Sequence, residues 1–302
     1  MFFLVIVLIM GKIVYSERLD KLVTQSCLLI RRAYRHVRNE GGGRRLELAY
    51  SGGKDSDVLV ELCKLSGVWG GEYLRPLHRC TTIDPPFTLQ HCSDVGVEIY
   101  RRNRFRDCVL SSGFPSRFVR HCCGKLKEFV IEDYVLVGVR RCESAGRMKN
   151  YKEPEVCRIY GGGGRCIQYY PLLEWTDEDI SEFIKVHDIR CHPLYYDSAG
   201  VFHVERRLGC VGCPLASRQH RVDDFLRYPK FLRFWARLGA EYLRTHPNIA
   251  THKYFDDVYE WLVCELFYDS IEKFRVDYPR AGGLFGIDDC KTRLEGYFGV
   301  EL

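Results

Sequence analysis

One stretch constrains the fold of this 302-residue chain more than any other, residues 44–66, RRLELAYSGGKDSDVLVELCKLS. The apolar run at 46–50 predicts a strand, and residues 55–65 have the apolar spacing of a helix. A strand that leads through glycines into a helix is typical of α/β proteins. The stretch therefore predicts a mostly parallel sheet with helices on both faces and a ligand at the carboxyl ends of its strands.

The rest of the chain continues this pattern and then departs from it. Further strands are predicted at 77–83, 97–100, 134–139 and 166–170, with helices at 16–38, at 117–133 and from Thr176 to near His187. From about Gln219 the sequence is rich in aromatic residues at helical spacing. We therefore predict an N-terminal apolar segment and helix over 1–43, an α/β domain over 44–218 and a helical region over 219–302.

Composition narrows the class of protein. The chain is 46% hydrophobic with a net charge of +5, which suits a globular protein with an anionic substrate. Its 15 cysteines are mostly scattered along a long chain, so a reducing cytoplasm is favoured over a secreted disulfide scaffold. The opening run MFFLVIVLIM falls well short of the ~20 residues that span a bilayer. We expect no membrane anchor, and either a true start at Met10 or an apolar segment that packs on the domain.

The glycine turn is a candidate anion site. Gly52 and Gly53 permit close approach of a ligand to backbone N–H groups, and the helix that follows presents its positive end. Lys54 adds a positive charge and Ser56 a hydroxyl donor. The spacing differs from that of a Walker A loop, and a bare SGG between strand and helix is often only a turn. The KDS that follows favours phosphate binding.

Four segments, in order, resemble the phosphoadenosine phosphosulfate reductase family of the PP-loop adenine nucleotide α-hydrolase-like superfamily. They are SGGKDS at 51–56, TTIDPP at 81–86, GVRRCESAGR at 138–147 and YPLLEWTDEDI at 170–180. The resemblance implies a Rossmann-like sheet that binds an adenine nucleotide, either ATP or a sulfonucleotide, with Mg²⁺. By resemblance, the nucleotide-binding residues are Ser51, Gly52, Gly53, Lys54, Asp55, Ser56, Arg140 and Arg147, with Arg141 as a further candidate. Lys54 and Arg140 are the expected catalytic residues, and Arg140 directly follows a predicted strand.

Two cysteine pairs form a second candidate site. Cys122 and Cys123 are adjacent, and Cys210 and Cys213 form a C-x-x-C pair. Four thiolates suit Zn²⁺ or an iron–sulfur cluster, although buried core cysteines are the simpler interpretation of either pair alone. Together they resemble the CC…CxxC ligands of cluster-bearing sulfonucleotide reductases, which implies a [4Fe–4S] cluster, with Zn²⁺ as the alternative. Lys125 and Lys127 resemble basic residues near that cluster.

The tail departs from the family pattern. Sulfonucleotide reductases carry a cysteine nucleophile in E-C-G-[IL]-H, whereas Cys290 lies in DDCKTR and is expected to be an ordinary helix residue. We therefore favour ATP cleavage at the α-phosphate coupled to sulfur transfer, with a protein that donates sulfur or electrons as a possible partner. Thiol-dependent reduction to sulfite is the alternative. A third hypothesis is a nucleotide-sensing or nucleic-acid-associated regulator, for which basic residues of the helical region are the pointers: Arg218, Arg221, Arg227, Lys230 and Arg233.

Overall fold

In the computed structural model, the predicted strand–turn–helix segment lies in a six-stranded sheet. The structure describes residues 15–116, 119–160, 163–247, 254–279 and 288–302, so the opening apolar run lies outside the described residues. The strands are β1 (Leu46–Ala49), β2 (Leu74–Arg79), β3 (Glu98–Tyr100), β4 (Tyr134–Val137), β5 (Glu155–Ile159) and β6 (Arg165–Tyr169). Their order is β3-β2-β1-β4-β6-β5, and every pairing is parallel except β5 with β6. The predicted Rossmann-like α/β class is confirmed.

Helices make up most of the remaining regular structure. They are α1 (Glu17–Glu40), α2 (Lys54–Leu65), α3 (Thr88–Val95), α4 (Phe105–Ser112), α5 (His121–Leu126), α6 (Ala145–Asn150), α7 (Asp177–Val186), α8 (Arg218–Arg227), α9 (Pro229–Thr245), α10 (Val258–Phe267), α11 (Ile271–Asp277) and α12 (Asp288–Phe298). The predicted helical C-terminal region is therefore present. Within the described ranges, no helix has the length and apolarity needed to cross a membrane.

The chain divides into two units. Unit 1 takes in the described residues up to Arg79 together with Pro86–Tyr100 and Phe129–Leu208, and it contains the whole sheet. Unit 2 takes in Cys80–Pro85, Arg101–Glu128 and the described residues from Gly209 onward. Each unit has its own buried apolar core.

Local sequence explains how the glycine turn is held. Ser16 caps α1, as predicted, by accepting a hydrogen bond from the Leu19 N–H at 3.3 Å. Strand β1 is buried on both faces, and even Glu47 is fully buried because its carboxylate pairs with Arg79 of β2 at 2.8 Å. Because β1 is packed on both faces, its carboxyl end, where the glycine turn begins, has a fixed position in the sheet. The turn that follows therefore starts from a rigid base.

Two predicted elements are displaced in the structure. The strand predicted at 77–83 is β2 (Leu74–Arg79), because residues 81–84 form a turn in which Asp84 accepts hydrogen bonds from the Thr81 N–H and O–H at 2.7 and 2.8 Å. The helix predicted at 117–133 contains only α5 (His121–Leu126) within the described residues. The N–H groups of residues 127 and 128 both bond the Cys123 carbonyl and end that helix. The antiparallel edge strand β5 was not predicted, since it lacks a buried face.

Candidate functional site

The predicted anion cradle lies in unit 1, where β1 ends and α2 begins. Gly52 has φ +81°, and a Cβ there would lie 3.0 Å from the Thr88 methyl group, so a side chain is excluded both by backbone conformation and by space. A Cβ at Gly53 would lie 3.0 Å from the Tyr195 hydroxyl. In the described part of the chain no side chain caps α2, whose N-cap residue is Gly53. The positive end of α2 is therefore bordered by small residues, as an anion site requires.

Polar groups of the turn are ordered by one another. The Ser51 hydroxyl accepts a hydrogen bond from the Gly53 N–H at 3.2 Å, and the Ser56 hydroxyl donates to the Gly53 carbonyl at 2.7 Å. Lys54 is only 4% exposed, and its Nζ lies 3.4 Å from Asp55 Oδ2 and 5.5 Å from the centre of the Tyr195 ring. The lysine charge is thus held at the turn rather than extended into solvent.

Arg140 is buried against carboxylates. It follows β4, is 2% exposed, and lies 2.7 Å from Asp55 Oδ1 and 2.8 Å from Asp177 Oδ1. Burial opposes the guanidinium charge, but the two carboxylates outweigh that effect and raise the pKa of Arg140. The structure brings Arg140 to the glycine turn through Asp55 and gives it carboxylate partners. Its assignment to an anionic ligand stays a prediction.

Two further arginines adjoin this group. Burial lowers the pKa of Arg147, and the positive charge of Arg207 lowers it further. Arg147 is also within electrostatic range of Asp55, and it forms an ion pair with Glu143. Arg207 donates to the Glu143 carbonyl at 2.8 Å. Sequence reasoning missed Arg207 because it lies outside all four motifs, whereas Arg147 belongs to one. Arg141 instead pairs with Glu174 at 2.8 Å.

Beneath the turn lies a buried polar cluster that sequence reasoning also missed. Asp57 Oδ1 accepts hydrogen bonds from the Tyr50 hydroxyl and from His91 Nε2, the latter at 2.9 Å. His192 Nε2 lies 3.3 Å from the Thr88 hydroxyl, and its ring is 6.0 Å from that of His91. Burial raises the pKa of Asp57, and burial lowers the pKa of His192 to about 4. These residues join α2, α3 and the segment around residue 192 under the cradle.

The four predicted cysteines lie together in unit 2. Cys122, Cys123, Cys210 and Cys213 line one small cavity. The Cys122 thiol donates to Cys123, which lowers the pKa of Cys123 to about 7 and raises that of Cys122. Among the described residues, no three or more His, Cys, Asp or Glu side chains are arranged as a ready metal site. The sequence thus identified which thiols meet, but the described side chains are not in ligating positions.

The loop at 81–84 supports the C-x-x-C segment. The Cys210 thiol lies 3.5 Å from the Thr81 hydroxyl, and the Val211 N–H bonds the Ile83 carbonyl at 2.8 Å. Lys127 lines the same cavity, and the sulfur of Cys210 raises the pKa of Lys127. Thr81 belongs to the TTIDPP motif, so the motif carried a signal for this contact. Trp235 also lines the cavity, and no motif pointed to it.

Two other predicted features are placed by the structure. Cys290 lies in α12 and is 2% exposed, which confirms its interpretation as an ordinary helix residue. In the helical region, Arg218 pairs with Asp269 at 2.6 Å and Arg221 pairs with Glu265 at 3.2 Å. Arg233 donates to the Glu301 carbonyl at 2.6 Å. These three arginines are engaged within the chain, which weakens them as pointers to a nucleic acid.

Comparison with known proteins identifies the family. Residues 45–216, more than half of the chain, match the phosphoadenosine phosphosulfate reductase domain, so the chain belongs to that family. An uncharacterized protein of Methanocaldococcus jannaschii is 26% identical over 240 residues, which cover 73% of this chain and 53% of that protein. A phosphoadenosine 5'-phosphosulfate reductase of Xanthomonas euvesicatoria is 34% identical over 73 residues, which cover 23% of this chain and 27% of that protein. The chain therefore spans about half, or less, of the length of these curated relatives.

Solved structures add little beyond this. FMN adenylyltransferase of Candida glabrata superposes with a TM-score of 0.41 at 13% identity, covering 61% of this chain and 62% of that chain. A likeness of that strength does not bear on function. The family assignment rests on the matched domain. Lys54, Arg140 and Thr81 all lie within the matched residues.

Proposed function

We propose that this chain is a PP-loop enzyme that binds ATP at the glycine turn and cleaves it at the α-phosphate, releasing AMP and pyrophosphate as it activates an acceptor for sulfur transfer. One observation carries the nucleotide assignment. The uncapped positive end of α2 emerges at the carboxyl end of a central parallel strand, with Lys54 buried beside it. Relatives named for a sulfonucleotide substrate support an adenine nucleotide as the ligand class.

The residues around the turn divide the work of binding a polyphosphate. Backbone N–H groups of residues 54 and 55, at the start of α2, and the Lys54 ammonium bind the phosphate oxygens. Arg147 and Arg207 contribute further positive charge, since they lie within electrostatic range of each other and Arg147 is also within range of Asp55 at the turn. Asp55 and Asp177 hold the Arg140 guanidinium in place. Mg²⁺, when bound with the nucleotide, supplies charge neutralisation of the leaving pyrophosphate.

The four-cysteine cavity fits a thiolate-bound metal group by its chemistry. Its donors are four sulfurs, and Lys127 provides a positive charge beside them. In addition, the Trp235 indole nitrogen is buried with no hydrogen-bond partner among the described residues. A cation beside sulfur and a buried, unpaired N–H donor on a lining residue suit an anionic group such as a [4Fe–4S] cluster, or Zn²⁺ held by thiolates. Cys122, Cys123, Cys210 and Cys213 would hold it, and the group would stabilise unit 2 or carry sulfur.

The first experiment compares nucleotides and products. We expect the anaerobically purified chain to bind ATP with Mg²⁺ and to release AMP and pyrophosphate in equal amounts when a sulfur acceptor and a sulfide donor are both present. The acceptor displaces pyrophosphate from ATP, and the sulfur then displaces AMP. K54A should weaken ATP binding by at least about tenfold, because a charge-assisted contact to phosphate is worth about 1.5–3 kcal/mol. K64A is the matched control, since Lys64 lies at the far end of α2 and pairs with Glu61 at 3.0 Å. Equal ATP affinity of K54A and K64A would contradict the assignment of the turn.

The alternative, reduction of a sulfonucleotide to sulfite, is tested in the same samples. That reaction requires an accessible thiolate, and Cys290 is 2% exposed in the core of unit 2. Burial of this kind disfavours attack on a substrate. Sulfite released from adenylyl sulfate or its 3′-phosphate, without AMP formation from ATP, would replace the proposed reaction with the alternative.

A further inference from the structure

Trp235 lines the four-cysteine cavity and carries a buried polar group without a partner among the described residues. Trp235 lies in α9, is 3% exposed and lines the cavity together with the four thiols. Its Nε1 is fully buried and has no hydrogen-bond partner among the residues that the structure describes. Buried indole N–H groups usually find an acceptor. By contrast, the Trp175 N–H of unit 1 donates to the Ser26 hydroxyl at 3.1 Å.

The ring contacts place the indole beside the C-x-x-C loop. A Cβ built on Gly212 would lie 3.2 Å from Trp235 Cε2, the ring carbon bonded to Nε1. Gly212 lies between Cys210 and Cys213 in the C-x-x-C segment. The indole therefore packs against the loop that carries these two sulfurs, with the carbon next to its N–H at the contact. The rings of Phe105 and Phe225 also pack on the indole, with ring centres at 5.3 and 5.9 Å.

The acceptor that fits this donor is sulfur. Apart from the cysteines, the side chains lining the cavity are mostly apolar, among them Ile83, Phe105 and Leu126. The Thr81 hydroxyl is already paired with Asp84 and Cys210. A neutral thiol is a weak acceptor, whereas a metal-bound thiolate or a cluster sulfide is a strong one. Metal-bound, negatively charged sulfur would therefore offer this donor a much stronger acceptor than a neutral thiol does.

We propose that the Trp235 indole N–H donates a hydrogen bond to a thiolate or sulfide of a metal group bound at the four-cysteine site, and so positions the C-x-x-C loop and stabilises the charge on its sulfur. The proposal rests on the proposed function only for the existence of that metal group. Trp235 is a positioning residue, since it acts through sulfur rather than on a substrate. Hydrogen bonds to ligand sulfur tighten metal binding and raise the reduction potential of a cluster.

The test uses the full chain with Zn²⁺ as a diamagnetic probe. The protein is labelled with ¹⁵N in its four tryptophan side chains, and the indole N–H signal of Trp235 is identified by its absence in W235F. On addition of Zn²⁺ we expect the Trp235 proton to shift downfield and to exchange more slowly with water. The Trp175 signal, whose proton already has an acceptor, should stay in place.

Affinity provides a second readout. Competition with a chelator should show Zn²⁺ binding about 10- to 100-fold weaker in W235F, the usual cost of losing a hydrogen bond to a metal ligand. W261F is the matched control, because Trp261 belongs to the same unit and packs on Phe114 at 4.5 Å without lining the cavity. If W235F folds poorly, the Trp235 signal is assigned instead as the one retained in W69F, W175F and W261F, so the test still holds.

The possible results separate the two proposals. A Trp235 signal that moves with Zn²⁺, together with weaker binding in W235F than in W261F, supports the hydrogen bond. Tight Zn²⁺ binding that C210S/C213S abolishes, with an unmoved Trp235 signal, overturns the role of Trp235 and leaves the metal site intact. If neither Zn²⁺ nor iron with sulfide binds through Cys210 and Cys213, the metal site itself is refuted, and the inference about Trp235 fails with it.

Discussion

Replacing His91 with leucine would leave the buried carboxylate of Asp57 without its imidazole partner. Asp57 and His91 are 4% and 8% exposed, and Nε2 lies 2.9 Å from Oδ1. Removing one member of a buried pair costs about 3–5 kcal/mol because the remaining charge stays desolvated. Asp57 keeps the hydrogen bond from Tyr50, so we expect H91L to lower the free energy of unfolding by about 3 kcal/mol, the lower end of that range.

The effect of D57N on stability should have opposite signs in the native and the H91L backgrounds. In the native background D57N should destabilise by about 1–3 kcal/mol, since it weakens a buried hydrogen bond. In the H91L background D57N removes the uncompensated charge, so it should restore about 2 kcal/mol. Because burial raises the pKa of Asp57, the carboxyl of H91L should take up a proton as the pH falls. The H91L defect should therefore be smaller at low pH and grow as the pH rises through that pKa.

Hydrogen exchange followed by mass spectrometry on peptides of α2 measures these effects within unit 1, so that independent unfolding of unit 2 does not interfere. H36L is the control: His36 is half-exposed on α1, 3.4 Å from Glu40, and its loss should cost under about 0.5 kcal/mol. The reasoning would be refuted if D57N further destabilised H91L, or if H36L and H91L had equal effects. Either result would mean that Asp57 is not charged in the native core.

Three further outcomes follow from particular contacts. G212A should lower the stability of unit 2 by about 1–3 kcal/mol, because the added Cβ would lie 2.6 Å from Phe225 Cζ at a φ of +74°. G209A is the control and should be tolerated in the same thermal melts, since a Cβ at Gly209 would have no heavy atom of the described residues within 4 Å. His192 is held neutral with its pKa lowered to about 4 from 6.5, so stability should fall by up to about 3 kcal/mol as the pH drops across that interval, and H192N should flatten this part of the urea-stability profile. C290S should lower the melting temperature, because a polar hydroxyl replaces a buried thiol, and it should leave ATP affinity unchanged. Loss of turnover with an unchanged melting temperature would contradict the burial of Cys290.

Several elements could be predicted because their signals are local. The cap at Ser16, the apolar spacing of α1 and the strand–glycine–helix order around β1 each depend on neighbours within a few residues. The strand predicted at 77–83 is displaced because apolar and β-branched residues occur in both strands and turns. Here the hydrogen bonds that Thr81 donates to the Asp84 carboxylate form a turn. The edge strand β5 exists through its pairing with β6, which no local pattern records.

By itself, the sequence determined the α/β class, the family, the position of the glycine turn between a strand and a helix, and which four thiols lie together, because residue type and short-range spacing carry these signals. The binding role of the turn stays a prediction. Only the tertiary structure decided which groups meet across long separations. It brought Asp57 to His91 and gave Arg140 its two carboxylates. It also buried Cys290 and packed the Trp235 indole against the C-x-x-C loop. Burial and side-chain contacts depend on packing between distant segments. They decide whether a given residue type acts as a nucleophile, as a counter-charge or as a core side chain.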